Sequence, residues 1–484
     1  MFLGIDLGTS SVKVLLVDDA QRVIGSASEP IAVANPHPGW SEQDPADWQS
    51  ATDAAISRLK ADHPGEVAAV AGIGLSGHMH GATLLDGSDR PIRPCILWND
   101  TRSHAEAAEL DAQPIFRRLT GNIVFPGFTA PKLLWLARHE PAHFAAVHKV
   151  LLPKDYLRLW LTGEYLSDMS DSAGTSWLDV GTRRWSGELL AATGLEERQM
   201  PGLVEGSDPA GRLRADLAER WGMRAGVTVA GGAGDNAASA AGLGIVREGE
   251  AFASLGTSGV LFAANDGFRP LPESAVHAFC HALPGIWHQM GVILAATDSL
   301  NWLAEITGRS QGQLTEELGE ALRPPGATTF LPYISGERTP HNDALIRGAF
   351  AGIGKESHRA ALTQAVLEGV AYAFADCRDA LTAAGTRLDR AFAVGGGARS
   401  RYWLKVLATV LGIPLDLPVN GDFGAAFGAA RLGLIAATGA DPLSVMTPPA
   451  IAETIEPEMA LADAFGERLE TYRKLYPAIR SATT

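Results

Sequence analysis

The chain has 484 residues, 46% hydrophobic and 20% charged, the balance of a folded globular protein and not of a disordered one. Its 55 acidic and 40 basic residues leave a formal net charge of −15, which disfavours a general nucleic-acid binder, because such proteins draw affinity from neutralised phosphates. At ~150 residues per domain the length suggests about three domains, and two large ones fit as well.

In chain order, residues 2–6 and 12–17 are short apolar runs separated by Gly8, Thr9 and Ser10. This predicts a β-hairpin with a small polar turn. Residues 21–33 follow as a third strand. Residues 42–60 carry apolar side chains at helical spacing and begin their helix after Pro45. Strands are predicted at 67–75 and 82–85, and a helix at 131–138 with Pro131 in its first turn. A strand at 227–230 precedes Gly231-Gly232-Ala233-Gly234-Asp235-Asn236 and a helical stretch. Near position 250 the opening theme recurs. Residues 251–255 and 260–264 flank Gly256-Thr257-Ser258-Gly259, so the tetrapeptide Leu-Gly-Thr-Ser occurs in two strand–turn–strand frames half a chain apart. A duplicated domain is expected, with Asp6 before the first turn and Ser254 before the second. Beyond lie a strand at 329–334, a strand at 391–394 and helices at 357–380, 400–410 and 424–437. Strands alternating with helices imply an α/β core, with two domains meeting near residue 245 across a cleft.

Three dispersed cysteines, Cys95, Cys280 and Cys377, match no metal spacing and suit a reducing compartment. The opening MFLGIDLGTS has no basic n-region and sets Asp6 where a signal peptide is apolar. The longest apolar stretch, 227–246, is broken by Asp235 and by glycines, which makes it a poor membrane span. The expectation is a cytoplasmic protein with no membrane and no nucleic-acid partner.

Several motifs carry chemistry, each with a plainer reading beside it. No GxxxxGK[ST] loop occurs. A GxGxxG pattern at Gly72, Gly74 and Gly77 follows a strand but opens no helix, so a turn at the strand end is favoured over a dinucleotide site. The Gly-Thr-Ser turns can hold phosphate with backbone N–H groups and hydroxyls, without net positive charge. Asp6 would then sit beside phosphate through Mg²⁺, or it simply caps its own turn. Asp235 is a site carboxylate or a helix N-cap. Gly395-Gly396-Gly397-Ala398-Arg399-Ser400 suits close approach to a flat ring or a diphosphate. His78 and His80 form an HxH pair that is structural or metal-binding. Trp98-Asn99-Asp100-Thr101-Arg102 lines a sugar or closes on an Asp100–Arg102 ion pair. Residues 336–341 form a further polar loop.

Together, Asp6-Leu7-Gly8-Thr9-Ser10, Gly234-Asp235-Asn236, Gly256-Thr257-Ser258 and Gly395-Gly396-Gly397-Ala398 resemble the FGGY family of carbohydrate kinases. Residues 131–135 and 348–368 resemble its two signature regions. Residues 38–44, 79–85, 96–100, 152–157, 167–171 and 335–341 are similar to its bacterial members that phosphorylate D-xylulose. Two positions depart from the pattern: His78 stands where relatives often have Gln, and Ser400 where many have Asn. The resemblance implies an α/β, actin/hexokinase-like (ribonuclease H-like), duplicated two-domain ATPase fold with a central cleft. Residues 1–244 would bind sugar and phosphate, and residues 245–484 nucleotide. It implies Asp235 as catalytic base, with Met79, His80, Asn236 and Trp98 at the sugar. Thr9, Ser10, Gly256, Thr257, Gly396, Gly397 and Ser400 would lie at ATP, and Asp6 at Mg²⁺. The implied reaction is D-xylulose and ATP to D-xylulose 5-phosphate and ADP, in a homodimer. The alternatives are a kinase for another ketopentose or polyol, a chaperone-like ATPase or sugar sensor of this fold, and a dinucleotide oxidoreductase.

Overall fold

The computed structural model of the chain, which describes residues 1–419 and 424–483, is built on two seven-stranded sheets. In the first, Phe2–Leu7 pairs antiparallel with Ser11–Val17, which pairs with Val23–Pro30. On its other side Phe2–Leu7 pairs parallel with Gly72–Gly77, followed by Thr228–Ala230 and the antiparallel edge strand Pro209–Arg212. The second sheet repeats this order. Ala251–Leu255 pairs antiparallel with Gly259–Asn265 and parallel with Ala391–Val394, followed by Leu415–Pro418 and the antiparallel edge Ile451–Ile455. Gly259–Asn265 continues into Trp287–Ile293 and His277–Cys280. The duplication expected from one tetrapeptide therefore extends to the order and direction of the strands.

Burial on both faces suits these near-continuous apolar runs to strands of a covered sheet. In Phe2–Leu7 and Ser11–Val17 both faces are covered, so Leu3, Ile5, Leu7, Val12, Val14 and Leu16 are all fully buried. The helix at Pro45–Asp62 starts where expected: Asp44 accepts from the Ala46 N–H, and Pro45 occupies the first helical position.

Two strand expectations are corrected. Val67 belongs to the short helix Pro64–Ala68, which Pro64 initiates, and the strand begins only at Gly72. The predicted strand at 329–334 stops at Leu331, before Pro332 removes a donor.

The GxGxxG pattern has a different cause from either reading given to it. Gly72, Gly74 and Gly77 all lie within one strand, not a turn. The helix Ala425–Thr438 lies directly on that strand and its neighbour. A Cβ on Gly4, Gly72 or Gly74 would land on the carbonyls of Ala426, Gly433 and Ala429 respectively. On the helix's other side, a Cβ on Gly428 would land on the Ala238 carbonyl of the helix Asp235–Leu243. Glycine is present because backbone meets backbone. Each half lends a helix to the other: Ala425–Thr438 sits on the first sheet, while Ala240 and Leu243 pack with Phe252 and Phe262 of the second.

Gly74→Ala is expected to lower stability by about 1–3 kcal/mol, the usual cost of overpacking a filled site. Gly65→Ala, whose Cβ would meet nothing within 4 Å, is the control. Thermal melts of both check this, and equal melting temperatures would remove the helix seat as an explanation.

Candidate active site

Asp6 is at the end of the first strand, half-buried. Its Oδ1 accepts from Ser76 Oγ, 2.8 Å, on the neighbouring strand. Burial holds its carboxyl above the usual carboxylate range, against the opposing effects of the Ser76 hydrogen bond and the Lys13 charge. Ala233–Gly234 pairs with Ser76 and Gly77, so the chain delivers Asp235 beside the same strand end. Burial, with the negative charge of Asp6 adding to it, pushes the Asp235 carboxyl up to about 6. Asn236 partly opposes this: its N–H (2.7 Å) and Nδ2 (2.9 Å) both donate to Asp235 Oδ1. No residue described donates to Oδ2, which leaves that atom for a proton. The N-cap of the helix is Gly234, not Asp235, so the capping reading of Asp235 fails.

A buried charge cluster fixes the approach to Asp235 from behind. Lys154 Nζ lies 2.6 Å from Asp155, 2.6 Å from Asp168 and 3.2 Å from Asp171. Among the described residues these three carboxylates are also the one grouping spaced to hold a metal, but the ammonium already sits among them. Asp168 accepts from the Ser170 N–H, and Ser170 Oγ accepts from the Gly234 N–H, 3.1 Å. Arg158 donates to the Gly231 carbonyl.

Met79 and His80 follow the same strand, and Met79 touches Gly234, the residue before Asp235. A Cβ on Gly234 would meet Met79 Cγ at 2.8 Å, and Gly174 packs under Met79 and His80 together. His80 adopts a left-handed backbone, φ +70°. Its Nδ1 lies 2.7 Å from the Gly174 carbonyl, which can only accept, so Nδ1 carries the proton and Nε2 is an acceptor. Burial pushes its pKa down to about 3 and keeps it neutral. The ring stacks on Phe128, centroids 4.4 Å apart. Lys132 Nζ holds the His80 carbonyl at 2.8 Å. His78 turns the other way, buried edge-on to Trp48, so the HxH pair does not converge on one point.

Trp98 is 46% exposed, and its Nε1 donates to Thr9 Oγ1, 3.0 Å. The structure thus ties Trp98 to the first phosphate hairpin. Gln43 Nε2 anchors that turn through the Thr9 carbonyl, 2.7 Å, and Ser10 is exposed beside it. The bland reading of the next loop holds: Arg102 and Asp100 form a buried two-pronged pair, 2.9 and 2.6 Å.

The second hairpin meets the glycine loop. A Cβ on Gly395 would meet the Leu255 carbonyl at 2.7 Å, and one on Gly397 the Leu255 Cβ at 2.8 Å, whereas Gly396 faces open space. The Gly256 carbonyl accepts from Thr297 N–H (2.9 Å) and the Thr257 carbonyl from Ala296 N–H (2.8 Å). With its acceptors used, this turn presents donors, as phosphate requires. Ser400, expected at the nucleotide, also serves the fold. Its hydroxyl accepts from Trp403 N–H, 3.3 Å, and caps the helix Arg401–Leu411. The two hairpins lie on different sheets, and no hydrogen bond joins them among the described residues. Sequence reasoning names neither Ser76 nor Gly174, and it meets Lys132 and Ser170 only inside the family-like stretches 131–135 and 167–171.

The raised Asp235 pKa has a consequence for stability. A folded-state value of about 6 exceeds the ordinary ~3.9 of an unfolded Asp. The fold therefore disfavours the charged form, and stability falls as pH rises from about 4 through 6. Asp235→Asn is expected to melt higher than the unsubstituted protein at pH 8, with the gap closing by pH 4. Paired melting curves at both pH values check this, and a lower melting temperature at pH 8 would contradict it.

Family models of the FGGY carbohydrate kinases match this chain at residues 1–242 (N-terminal domain) and 251–437 (C-terminal domain). A xylulose kinase from Escherichia coli is 49% identical over 98% of both chains. A crystal structure of a xyloylose kinase from Brucella ovis superposes with a TM-score of 0.98 at 66% identity, covering 99% of each chain. One of a xylulose kinase from Rhodospirillum rubrum gives 0.93 at 30% identity, covering 100% of this chain and 99% of the other. With both domain models matched in order on two sheets of repeated topology, the chain is a two-domain, actin/hexokinase-like member of the FGGY family of carbohydrate kinases.

Proposed function

We propose that this protein transfers the terminal phosphoryl group of ATP to the 5-hydroxyl of D-xylulose, with Asp235 as general base. The observation that supports it most directly is the Asp235 carboxylate. It has a free oxygen and a raised pKa, and it is placed between the Met79–His80 strand end and Asp6. The names of the relatives supply the sugar.

A primary hydroxyl is a poor nucleophile while protonated. Asp235 Oδ2 takes its proton as the O5–P bond forms and the bond from phosphorus to the ADP oxygen breaks. A pKa of about 6 leaves the group mostly ionised at neutral pH, yet more basic than an ordinary aspartate. Asn236 fixes Oδ1 so that Oδ2 stays directed. His80 Nε2 accepts from a sugar hydroxyl, and Met79 gives the ring-free face of the sugar an apolar wall. Thr9 and Ser10 on one hairpin, and Gly256 and Thr257 on the other, offer N–H and hydroxyl donors to phosphate oxygens. The open space at Gly396, with Gly397 behind it, receives the nucleotide.

Asp6 and Asp235 are hard oxygen donors whose charges oppose each other at half-buried positions, a donor set that suits Mg²⁺. Asp6 would hold the ion through water, and the ion when bound would neutralise phosphate charge. The reading also makes the cytoplasm the compartment of the reaction and a homodimer the assembly; sedimentation tests the latter. No described helix is long and apolar enough to cross a membrane.

A coupled ADP-release assay over pentuloses, pentitols and glycerol tests the function, with the highest kcat/KM expected for D-xylulose. Preference for another acceptor would replace the substrate, and ADP release independent of sugar would favour an ATPase of this fold.

Asp235→Asn is expected to lower kcat by about 10²–10⁴-fold, the usual worth of a positioned base. In the unsubstituted enzyme kcat/KM should fall as pH drops through about 6, because protonation removes the base, and the variant's profile should be flat there. Asp6→Asn should raise the Mg²⁺ concentration needed for half-maximal rate and leave the sugar KM unchanged. An unaltered Mg²⁺ titration would return Asp6 to the role of a turn residue.

A further inference from the structure

Arg338 reaches the sugar side of the site from the second half of the chain. Its loop is tightly held. Gly336 has φ +82°, and Glu337 Oε1 accepts from the N–H groups of Leu294 (3.0 Å) and Arg338 (2.7 Å). Thr339 donates its hydroxyl to the Ala275 carbonyl and accepts from Val292 N–H, 3.0 Å each. On the far side, His341 stacks on Tyr476 of the C-terminal helix, centroids 3.6 Å apart. A loop fastened at so many points places its side chains reproducibly.

The guanidinium carbon of Arg338 lies 3.7 Å from the centre of the Phe125 ring. Phe125 packs edge-on to Phe128 at 5.3 Å, and Phe128 stacks on His80. Among the described residues no carboxylate pairs with Arg338 and no side chain or carbonyl accepts from its guanidinium. Glu337 is near enough for the two charges to act on each other, but it accepts no hydrogen bond from the guanidinium: its Oε1 is taken by backbone amides, and burial pushes its pKa up to about 8. A guanidinium carries five donors, and at this half-buried position none of them meets a protein acceptor among the described residues. The Phe125 face covers one side of the cation. The edges of the fork are left available to a bound acceptor.

Contacts order the site from one end to the other. Asp235 adjoins Met79 through Gly234, Met79 and His80 share Gly174, and His80 leads through Phe128 and Phe125 to Arg338. Resting on the reaction proposed above, the sugar's O5 must lie at Asp235. The end that approaches Arg338 is then the end bearing the ketone. We propose that Arg338 donates to the C2 carbonyl oxygen and the neighbouring 1-hydroxyl of the bound ketose, and that it is the residue which selects a 2-ketopentose over the corresponding pentitol. The chemistry fits a planar fork. A carbonyl oxygen only accepts, and the adjacent hydroxyl oxygen offers a second acceptor in reach of the same guanidinium. The pentitol replaces the carbonyl by a tetrahedral carbon whose hydroxyl brings a hydrogen of its own.

The test compares Arg338→Gln and Arg338→Lys with the unsubstituted enzyme. Four quantities are measured: kcat/KM for D-xylulose, Ki for xylitol as a competitive inhibitor, KM for ATP, and the melting temperature. Arg338→Gln is expected to lower kcat/KM for D-xylulose by about 10–100-fold, the worth of a hydrogen bond to a charged group. The loss should fall mainly on KM. The xylitol Ki should rise by less than the D-xylulose KM, because the polyol keeps only the 1-hydroxyl part of the contact, and the ATP KM should stay unchanged; discrimination between ketose and polyol then shrinks, and Arg338→Lys should recover part of the loss. Equal losses for D-xylulose and xylitol would make Arg338 a support for the aromatic wall and overturn the proposal. A raised ATP KM with unchanged sugar KM would assign it to phosphate and also overturn it. If the unsubstituted enzyme phosphorylates a different ketose, the proposed substrate fails, and the same comparison of that ketose with its polyol still decides on Arg338. An unsubstituted enzyme that prefers the polyol overturns the proposal.

Discussion

The contact on which the rest of the molecule depends is the one where the helix Ala425–Thr438 lies backbone-to-backbone on the first sheet. Gly4, Gly72 and Gly74 floor that contact, and Gly428 brings the same helix against Asp235–Leu243. Asp6 is two residues beyond Gly4 on one strand, and Ser76 is two beyond Gly74 on the next. Asp235 opens the helix that Gly428 touches. The two carboxylates and the serine between them are therefore indexed to one helix. Since a protein interior is close-packed, such a seat leaves no slack for the carboxylates to drift apart.

Duplication places equivalent strand ends on the two sheets, and the halves have diverged at those ends. The strand beside the first hairpin runs out into His78-Met79-His80. Its counterpart beside the second hairpin runs out into Gly395-Gly396-Gly397. The first hairpin carries Asp6 where the second carries Ser254. One half thus keeps side chains that can grip hydroxyls and ions, while the other strips side chains away so that a ligand can approach its backbone. The exchanged helices make the division workable, because each sheet is held by a helix from the other half. Any change in the angle between halves must pivot where those helices cross.

Much of this was legible in the sequence wherever the signal is local. The two Gly-Thr-Ser hairpins, the strand at Ala391–Val394, the glycines after it and the carboxylate at a glycine-rich strand end all follow from patterns within ten residues. The misreadings share one cause. Gly72 and Gly74 looked like a turn or a dinucleotide site because the helix that requires them lies some 350 residues later. Val67 was read as strand because it is apolar, although Pro64 starts a helical turn beneath it. Ser400 has a second task that its match to a ligand position does not reveal, because its hydroxyl also caps the helix after it. Trp98 was placed at the sugar, and the structure adds its bond to Thr9. Arg338 was visible only as part of a polar loop. Its neighbours Phe125, Phe128 and His80 lie in the other half, and no spacing along the chain records that.

A protein of net charge −15 also has to keep apart two uses of aspartate. Behind the site, Asp155, Asp168 and Asp171 are buried around Lys154 and Arg158. Three carboxylates against two cations still leave an excess, and burial holds Asp171 well above the usual carboxylate range. Such a cluster is weak evidence for stability, because desolvation offsets most of its attraction. Its contacts suggest another value: through Ser170 and Arg158 it fixes Gly234 and Gly231, the residues that deliver Asp235. In front, Asp6 and Asp235 accept no hydrogen bond from a cation among the described residues, and burial, with the charge of Asp6 adding to it, raises the basicity of Asp235. The same side chain is thus paired scaffold where the fold supplies its counter-charge, and a carboxylate of raised basicity where it does not.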